Sequence, residues 1–186
     1  MVCGIQLSFF SRRQLRMKQW KGPSRFEVFL NLLFIFQSTF GVIYGVLFGP
    51  FLGIEVLWYV GWLVLVVGFL FFYLALREFK EKGGALEGES LQFTTVLVDT
   101  GVYAIIRHPQ CLGGILLMCA SILISQHWLS AIIGVSISAY YYLSVPKDEE
   151  HLIEKFGDDY KRYMQRVPKL NPLAGVVKLL RQRTKD

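Results

Sequence analysis

Charge is what this sequence has least of, and the shortage is localised. Asp, Glu, Lys and Arg make up 18% of the 186 residues, where an ordinary soluble domain carries roughly 25%. From Phe26 to Leu76 the only formal charges are Glu27 and Glu55, and from Pro109 to Pro146 there are none. Each run exceeds the ~20 residues that span a hydrocarbon core and is long enough for two crossings. Cysteine is scarce as well. Cys3, Cys111 and Cys119 form no paired spacing, so neither a disulfide framework nor a metal site is indicated. There is no internal repeat and no low-complexity tract. A cleaved signal peptide is not expected, because the short apolar run Ile5 to Phe10 is followed, not preceded, by basic residues.

The apolar residues that remain predict an all-α, polytopic transmembrane protein of about four spans. The first run breaks at Phe48-Gly49-Pro50-Phe51, where Gly and Pro interrupt a helix, giving helices at about 26–47 and 54–77. The second breaks at Ser125-Gln126-His127-Trp128, giving a tight hairpin of helices at about 110–125 and 128–146. Its first arm is short for a full crossing, which calls for tilt or for shielding by neighbours. Arg12, Arg13, Arg16, Lys18, Lys21 and Arg25 precede the first helix. The positive-inside rule makes this block cytoplasmic. With four crossings all 20 Lys and Arg residues fall on that side and the two outer turns hold none. The reading is an integral, multi-pass membrane protein with both termini cytoplasmic. The net charge of +6 then belongs to flanks that meet anionic headgroups, and nucleic acid is not an expected partner.

Three regions follow: a basic arm at 1–25, a helix pair at 26–77, and a region from 78 to 186. The last holds a connection, the hairpin at 108–146 and a polar C-terminal segment. Leu152, Ile153, Phe156, Tyr160 and Tyr163 recur at helical spacing with Gly157 among them. This predicts that the fourth helix continues into the cytoplasm, bends near Gly157 and is followed by a short helix. Val167-Pro168 and Asn171-Pro172 end that helix. Residues 174–182 predict a weak amphipathic helix with a basic face, suited to lying on the membrane. Gly41, Gly45 and Gly49 recur every four residues, which fits close helix packing. Trp20, Trp58, Trp62 and Trp128 read as interfacial or packing aromatics, His127 as a turn residue, and Tyr140, Tyr141 and Tyr142 as encircling the fourth helix.

Two elements carry chemistry. One is Arg107-His108-Pro109, with Gly113-Gly114 just after it. Taken alone it reads as an interfacial Arg and His before a Pro in the first helical turn. The other is Asp148-Glu149-Glu150, where the fourth helix leaves the membrane. Acids at a helix C-terminus oppose the dipole, so they call for a cationic ligand or an ion pair with Arg107 or a Lys. The tight hairpin makes its two arms neighbours, so both elements should meet at the cytoplasmic face. An imidazole, a guanidinium and a carboxylate would line a pocket suited to a zwitterionic small molecule, open on one side to lipid.

The stretch from Thr95 to Pro172 resembles the isoprenylcysteine carboxyl methyltransferase family, with its prokaryotic and phospholipid-methyltransferase-like relatives. The matching motifs are Leu97-Val98-Asp99-Thr100-Gly101-Val102-Tyr103, then Arg107-His108-Pro109-Gln110-Cys111-Leu112-Gly113, then Glu149-Glu150, Phe156-Gly157-Asp158-Asp159-Tyr160 and Val167-Pro168. Their order around a charge-free hairpin carries the resemblance. It implies S-adenosyl-L-methionine-dependent methyl transfer at the membrane surface. It assigns cofactor contacts to Thr95, Val96, Leu97, Val98, Tyr103, His108, Pro109, Gln110, Cys111 and Glu149, with Glu150 as the register alternative, and the cofactor's carboxylate can use Arg107 or His108 as donor. The implied partner is a lipidated or amphiphilic acceptor, such as a prenylcysteine carboxylate. Two departures stand out. Cys111 replaces the pattern's Tyr. Ser144 and Val145 stand where the family has an Arg for the substrate carboxylate, leaving Lys147 as a substrate-binding candidate, a point charge in place of a fork. A membrane sterol-type NADPH-dependent reductase and a non-enzymatic membrane scaffold are the alternatives.

Overall fold

The computed structural model describes residues 25–82 and 96–183. The chain falls into two compact units, residues 1–33 and 34–186, and all the packing described below lies within the second. Among the described residues every regular element is helical. The order is α1 (Arg25–Leu47), α2 (Glu55–Lys82), a 3-10 turn (Gly101–Ala104), α3 (Pro109–Ser125), α4 (Trp128–Phe156), α5 (Asp158–Arg166) and α6 (Pro172–Arg183). Three helices, Val28–Leu47 of α1, α2 and α4, are long and apolar enough to cross a membrane, and α3 is a shorter apolar helix. Its 17 residues reach about 25 Å, somewhat short of the ~30 Å hydrocarbon core. The protein is therefore an integral, all-α membrane protein. Large apolar side chains such as Phe36, Ile43, Leu63, Val66, Phe69, Val135 and Leu143 are exposed, as a lipid-facing surface requires.

The short helix α3 is the one the others enclose. It packs most extensively on α2 and next on α4. Lipid removes the hydrophobic driving force between helices, so association rests on close approach of small residues and on polar contacts. Both are present. A Cβ on Gly41 would lie 2.8 Å from the Ser121 carbonyl oxygen, and one on Gly45 2.8 Å from that of Ile124. Gly68 of α2 and Gly113 of α3 seat against each other in the same way. Gln37, almost fully buried, donates to Ser121 Oγ and to the Ser130 carbonyl (both 3.2 Å). Ser121 Oγ returns a bond to the Gln37 carbonyl at 2.9 Å. One amide thus ties α1, α3 and α4 together.

Gly49 departs from the every-fourth-residue pattern. It lies in the turn after α1 at φ +73° with open space around it, so it serves the turn and not helix packing. The turns after α1 and after α3 are joined. Gln126 caps α3 at φ 50°, and its side chain donates to the Ile54 carbonyl (2.7 Å) and accepts from the Ile54 N–H (3.1 Å). Phe51 N–H bonds the Ser125 carbonyl at 3.0 Å. His127 is the N-cap of α4, its Nδ1 accepting from Leu129 N–H.

At the opposite end α2 runs to Lys82, five residues past the sequence expectation. The i,i+4 pairs Arg77–Glu81 and Lys82–Glu78 explain why polarity does not end it. α4 runs through Pro146 to Phe156 and stops at Gly157 (φ +61°), where α5 begins. This is the bend and short helix that the sequence predicts. α6 covers the predicted amphipathic segment, with Leu173, Val176, Val177 and Leu180 exposed at helical spacing.

Candidate functional site

The site is assembled from the segment before α3, the polar end of α4, and α5 with the chain that follows it. Residues 101–108 are held from two sides. Val98, Val102 and Tyr103 pack with Ala75 near the end of α2. Tyr160, Tyr163 and Val167 form a second cluster with Leu97, Leu152, Ile153 and Phe156. The Tyr163 hydroxyl donates to the Tyr103 carbonyl at 2.6 Å. Arg107 N–H bonds the Pro168 carbonyl at 3.1 Å, and His108 N–H bonds the Lys169 carbonyl at 3.3 Å. These backbone bonds fix the two residues at the mouth of α3, where His108 is the N-cap and Pro109 the first helical residue.

Glu149 of α4 faces them. Its Oε1 lies 3.1 Å from Arg107 Nη2 and 3.3 Å from His108 Nε2. The three side chains are only 10–12% exposed, so the ion pair is weakly screened. With the carboxylate ionised, His108 Nε2 is the donor and Nδ1 an acceptor. Burial holds the His108 imidazole below its ordinary value, and Glu149 opposes that shift. A histidine charged only at low pH leaves Arg107 as the resident cation beside Glu149 at neutrality. Two buried polar atoms here have no hydrogen-bond partner among the described residues: Arg107 Nε and the Tyr160 hydroxyl.

The other sequence candidates divide. Val98, Tyr103 and Pro109 are buried, Leu97, Gln110 and Cys111 are half-buried, and Val96 is exposed. Gln110 hydrogen-bonds Tyr103, whose phenol is raised well above its ordinary value, chiefly by burial. Thr95 lies outside the described residues. Successive residues on a helix point about 100° apart, and Glu150 is exposed while Glu149 faces Arg107. Lys147 is also exposed. An open groove of about 500 Å³ lies next to the site, lined by Tyr142 and residues 169–173. Its cation is Lys169, whose Nζ stands 5.6 Å from the Tyr142 ring centre.

Sequence reasoning missed Lys169, and missed that Tyr163 and Pro168 clamp the 101–108 segment. The signal is present in Val167-Pro168, but its helix-stopping role conceals the second one.

These features define a class: an all-α membrane protein whose buried Arg-His-Glu cluster sits where an apolar hairpin meets its polar flanks. Within that class the chain belongs to the phospholipid methyltransferase family, whose sequence model matches residues 56–159. Among similar curated proteins, the protein-S-isoprenylcysteine O-methyltransferase of Dictyostelium discoideum is 30% identical over 122 residues, covering 64% of this chain and 51% of that one. The protein of the same name from Schizosaccharomyces pombe is 27% identical over 79 residues, 42% of this chain and 34% of the relative. Methanethiol S-methyltransferase 1 of Bradyrhizobium diazoefficiens is 35% identical over 72 residues, 38% of this chain and 24% of the relative. The chain thus spans about half or less of the length of these relatives. No solved structure matches it.

Proposed function

We propose that this protein is an S-adenosyl-L-methionine-dependent methyltransferase that acts at the cytoplasmic face of a membrane on a lipidated or amphiphilic acceptor. The observation that carries the reading is the Glu149 carboxylate, buried against Arg107 and His108, in a chain of the phospholipid methyltransferase family. A buried carboxylate favours a cationic ligand group, and a buried guanidinium favours a carboxylate. The methionine end of the cofactor carries both an ammonium and a carboxylate, so the donor set fits it. Thr95 to Val98, Tyr103 and Pro109 to Cys111 are the remaining contacts, with the backbone of 95–98 offering donors and acceptors to the adenine. Glu149, not Glu150, is the acidic contact, since it is the one turned toward Arg107. The bound cofactor supplies an electrophilic methyl group.

The chain's own residues bind, orient and exclude water. The Glu149 carboxylate is held in place by two donors, so it needs little reorganisation when a cation arrives. The acceptor reaches the site from lipid, through the groove beside Tyr142. Lys169 lines that groove and can meet an anionic acceptor end. Lys147, exposed two residues before Glu149, is the other candidate for that role. A carboxylate acceptor is already ionised at neutral pH and needs no general base, whereas an amine or thiol needs one. Both termini are cytoplasmic in this reading.

Titration of the detergent-solubilised protein with S-adenosyl-L-methionine, S-adenosylhomocysteine and NADPH tests it. Binding of the first two, with competition between them, is expected. Binding of NADPH alone points to the reductase, and binding of none points to a scaffold.

A further inference from the structure

The Tyr160 hydroxyl is a buried polar atom that the fold itself leaves unused. Tyr160 is 2% exposed, and no group of the described residues hydrogen-bonds its oxygen. Its neighbour Tyr163 is equally buried, with ring centres 5.8 Å apart, yet the Tyr163 hydroxyl is satisfied by the Tyr103 carbonyl. Leaving a hydroxyl unpaired in such surroundings is costly, and phenylalanine would fill the same space without that cost. A second orphan belongs to the Arg107–Glu149 ion pair: among the described residues Arg107 Nε is buried without a partner, although Nη2 is bound to Glu149. Tyr160 is near enough to feel both charges. Its phenol is raised to about 12, chiefly by burial and next by the Glu149 charge, with Arg107 opposing. The hydroxyl therefore stays protonated at neutral pH and can donate. Two unsatisfied donors, one of them cationic, at one site match one kind of acceptor, an anionic oxygen pair.

We propose that Tyr160 Oη and Arg107 Nε are ligand contacts that together hold a carboxylate of a bound small molecule. The proposal rests on the methyltransferase reading, in which that carboxylate belongs to the cofactor's amino-acid end or to the acceptor. The role of Tyr160 is binding, and it completes a pocket in which Glu149 takes the cationic group and Arg107 with Tyr160 takes the anionic one.

Tyr160→Phe removes one oxygen that makes no bond in the free protein. Its melting temperature should therefore match or exceed that of the wild type. Tyr163→Phe is the contrast for stability: it deletes a made hydrogen bond and should melt lower than the wild type. Calorimetric titration then uses S-adenosylhomocysteine, methylthioadenosine (which lacks the amino-acid end) and a long-chain thioether carboxylate paired with its amide. Loss of roughly tenfold in affinity for S-adenosylhomocysteine, with methylthioadenosine unaffected, supports the cofactor carboxylate as the occupant. The same loss confined to the long-chain carboxylate, with its amide unaffected, supports the acceptor. Wild-type affinity of Tyr160→Phe for every ligand overturns the proposal. So does a lowered melting temperature with weakened binding of methylthioadenosine and the amide too. A wild-type protein that binds no S-adenosylhomocysteine counts against the methyltransferase reading, independently of what Tyr160→Phe does.

Discussion

Glu149→Gln isolates the ion pair at the centre of the site, and its size can be worked from the geometry. The charges stand 3.1 Å apart, which corresponds to about 5 kcal/mol of attraction at an effective dielectric of ~20. Desolvating the two ions offsets several kcal/mol of that, so the pair adds little net stability over a neutral one. Breaking it from one side is different. The substitution would leave the Arg107 guanidinium buried, with Nε already unpartnered and Nη2 facing a neutral amide. Loss of one partner of a buried pair costs about 3–5 kcal/mol, and the amide oxygen, still an acceptor, places this variant near the lower end. Arg107→Met should cost a similar amount. The double variant has no charge left to strand, so its cost should fall at least ~2 kcal/mol below the sum of the singles. Reversible unfolding by SDS in mixed micelles gives the three free energies. Additivity within about 0.5 kcal/mol would mean that the two charges do not feel each other and that no such buried pair exists.

Acid should unfold the protein through His108. Its imidazole is held below the ordinary 6.5 by burial, so the unfolded chain binds more protons in that window and stability falls as pH drops below about 6.5. His108→Gln should flatten that limb of the stability-pH curve, and an unchanged limb removes His108 as its source. Gln126→Gly keeps the positive φ of the α3 cap but deletes both bonds to Ile54. It should cost about 1–3 kcal/mol, read in the same SDS assay, whereas a neutral outcome would mean the turns after α1 and α3 are not joined in this way. Gly41→Ala should cost about 1–3 kcal/mol through the clash with Ser121. Gly49→Ala, strained only by its φ of +73°, should lose about 1 kcal/mol, and reversal of that order contradicts the α1–α3 contact.

The helices were legible because lipid leaves so few options. Runs without charge had to be helices, and the hairpin turn at Gln126-His127 forced α3 and α4 to be neighbours. Once they are neighbours, His108 at one arm's start and Glu149 near the other arm's polar end must approach. That much needs only topology. Which of Glu149 and Glu150 faces Arg107 depends on the rotation of α4, which no motif specifies. The clamp on residues 101–108 was illegible for another reason. It is made of backbone bonds to Pro168 and Lys169 and of one phenol reaching a carbonyl 60 residues away, and backbone groups carry no sequence signature. Gly49 escapes the packing role because its four-residue spacing continues by chance into the turn before Pro50. α2 outruns its expected end because charge suggests solvent, and solvent a loop, whereas the pairs from Arg77 to Lys82 carry the helix onward.

In the proposed function a small-molecule methyl donor sits at the buried Arg-His-Glu cluster. Hydrogen exchange with and without saturating S-adenosylhomocysteine tests this directly, since protection reports where a ligand binds without requiring turnover. Protection confined to peptides covering 96–111 and 147–163 is the predicted result. Binding accompanied by protection elsewhere, with those two segments unchanged, would contradict it.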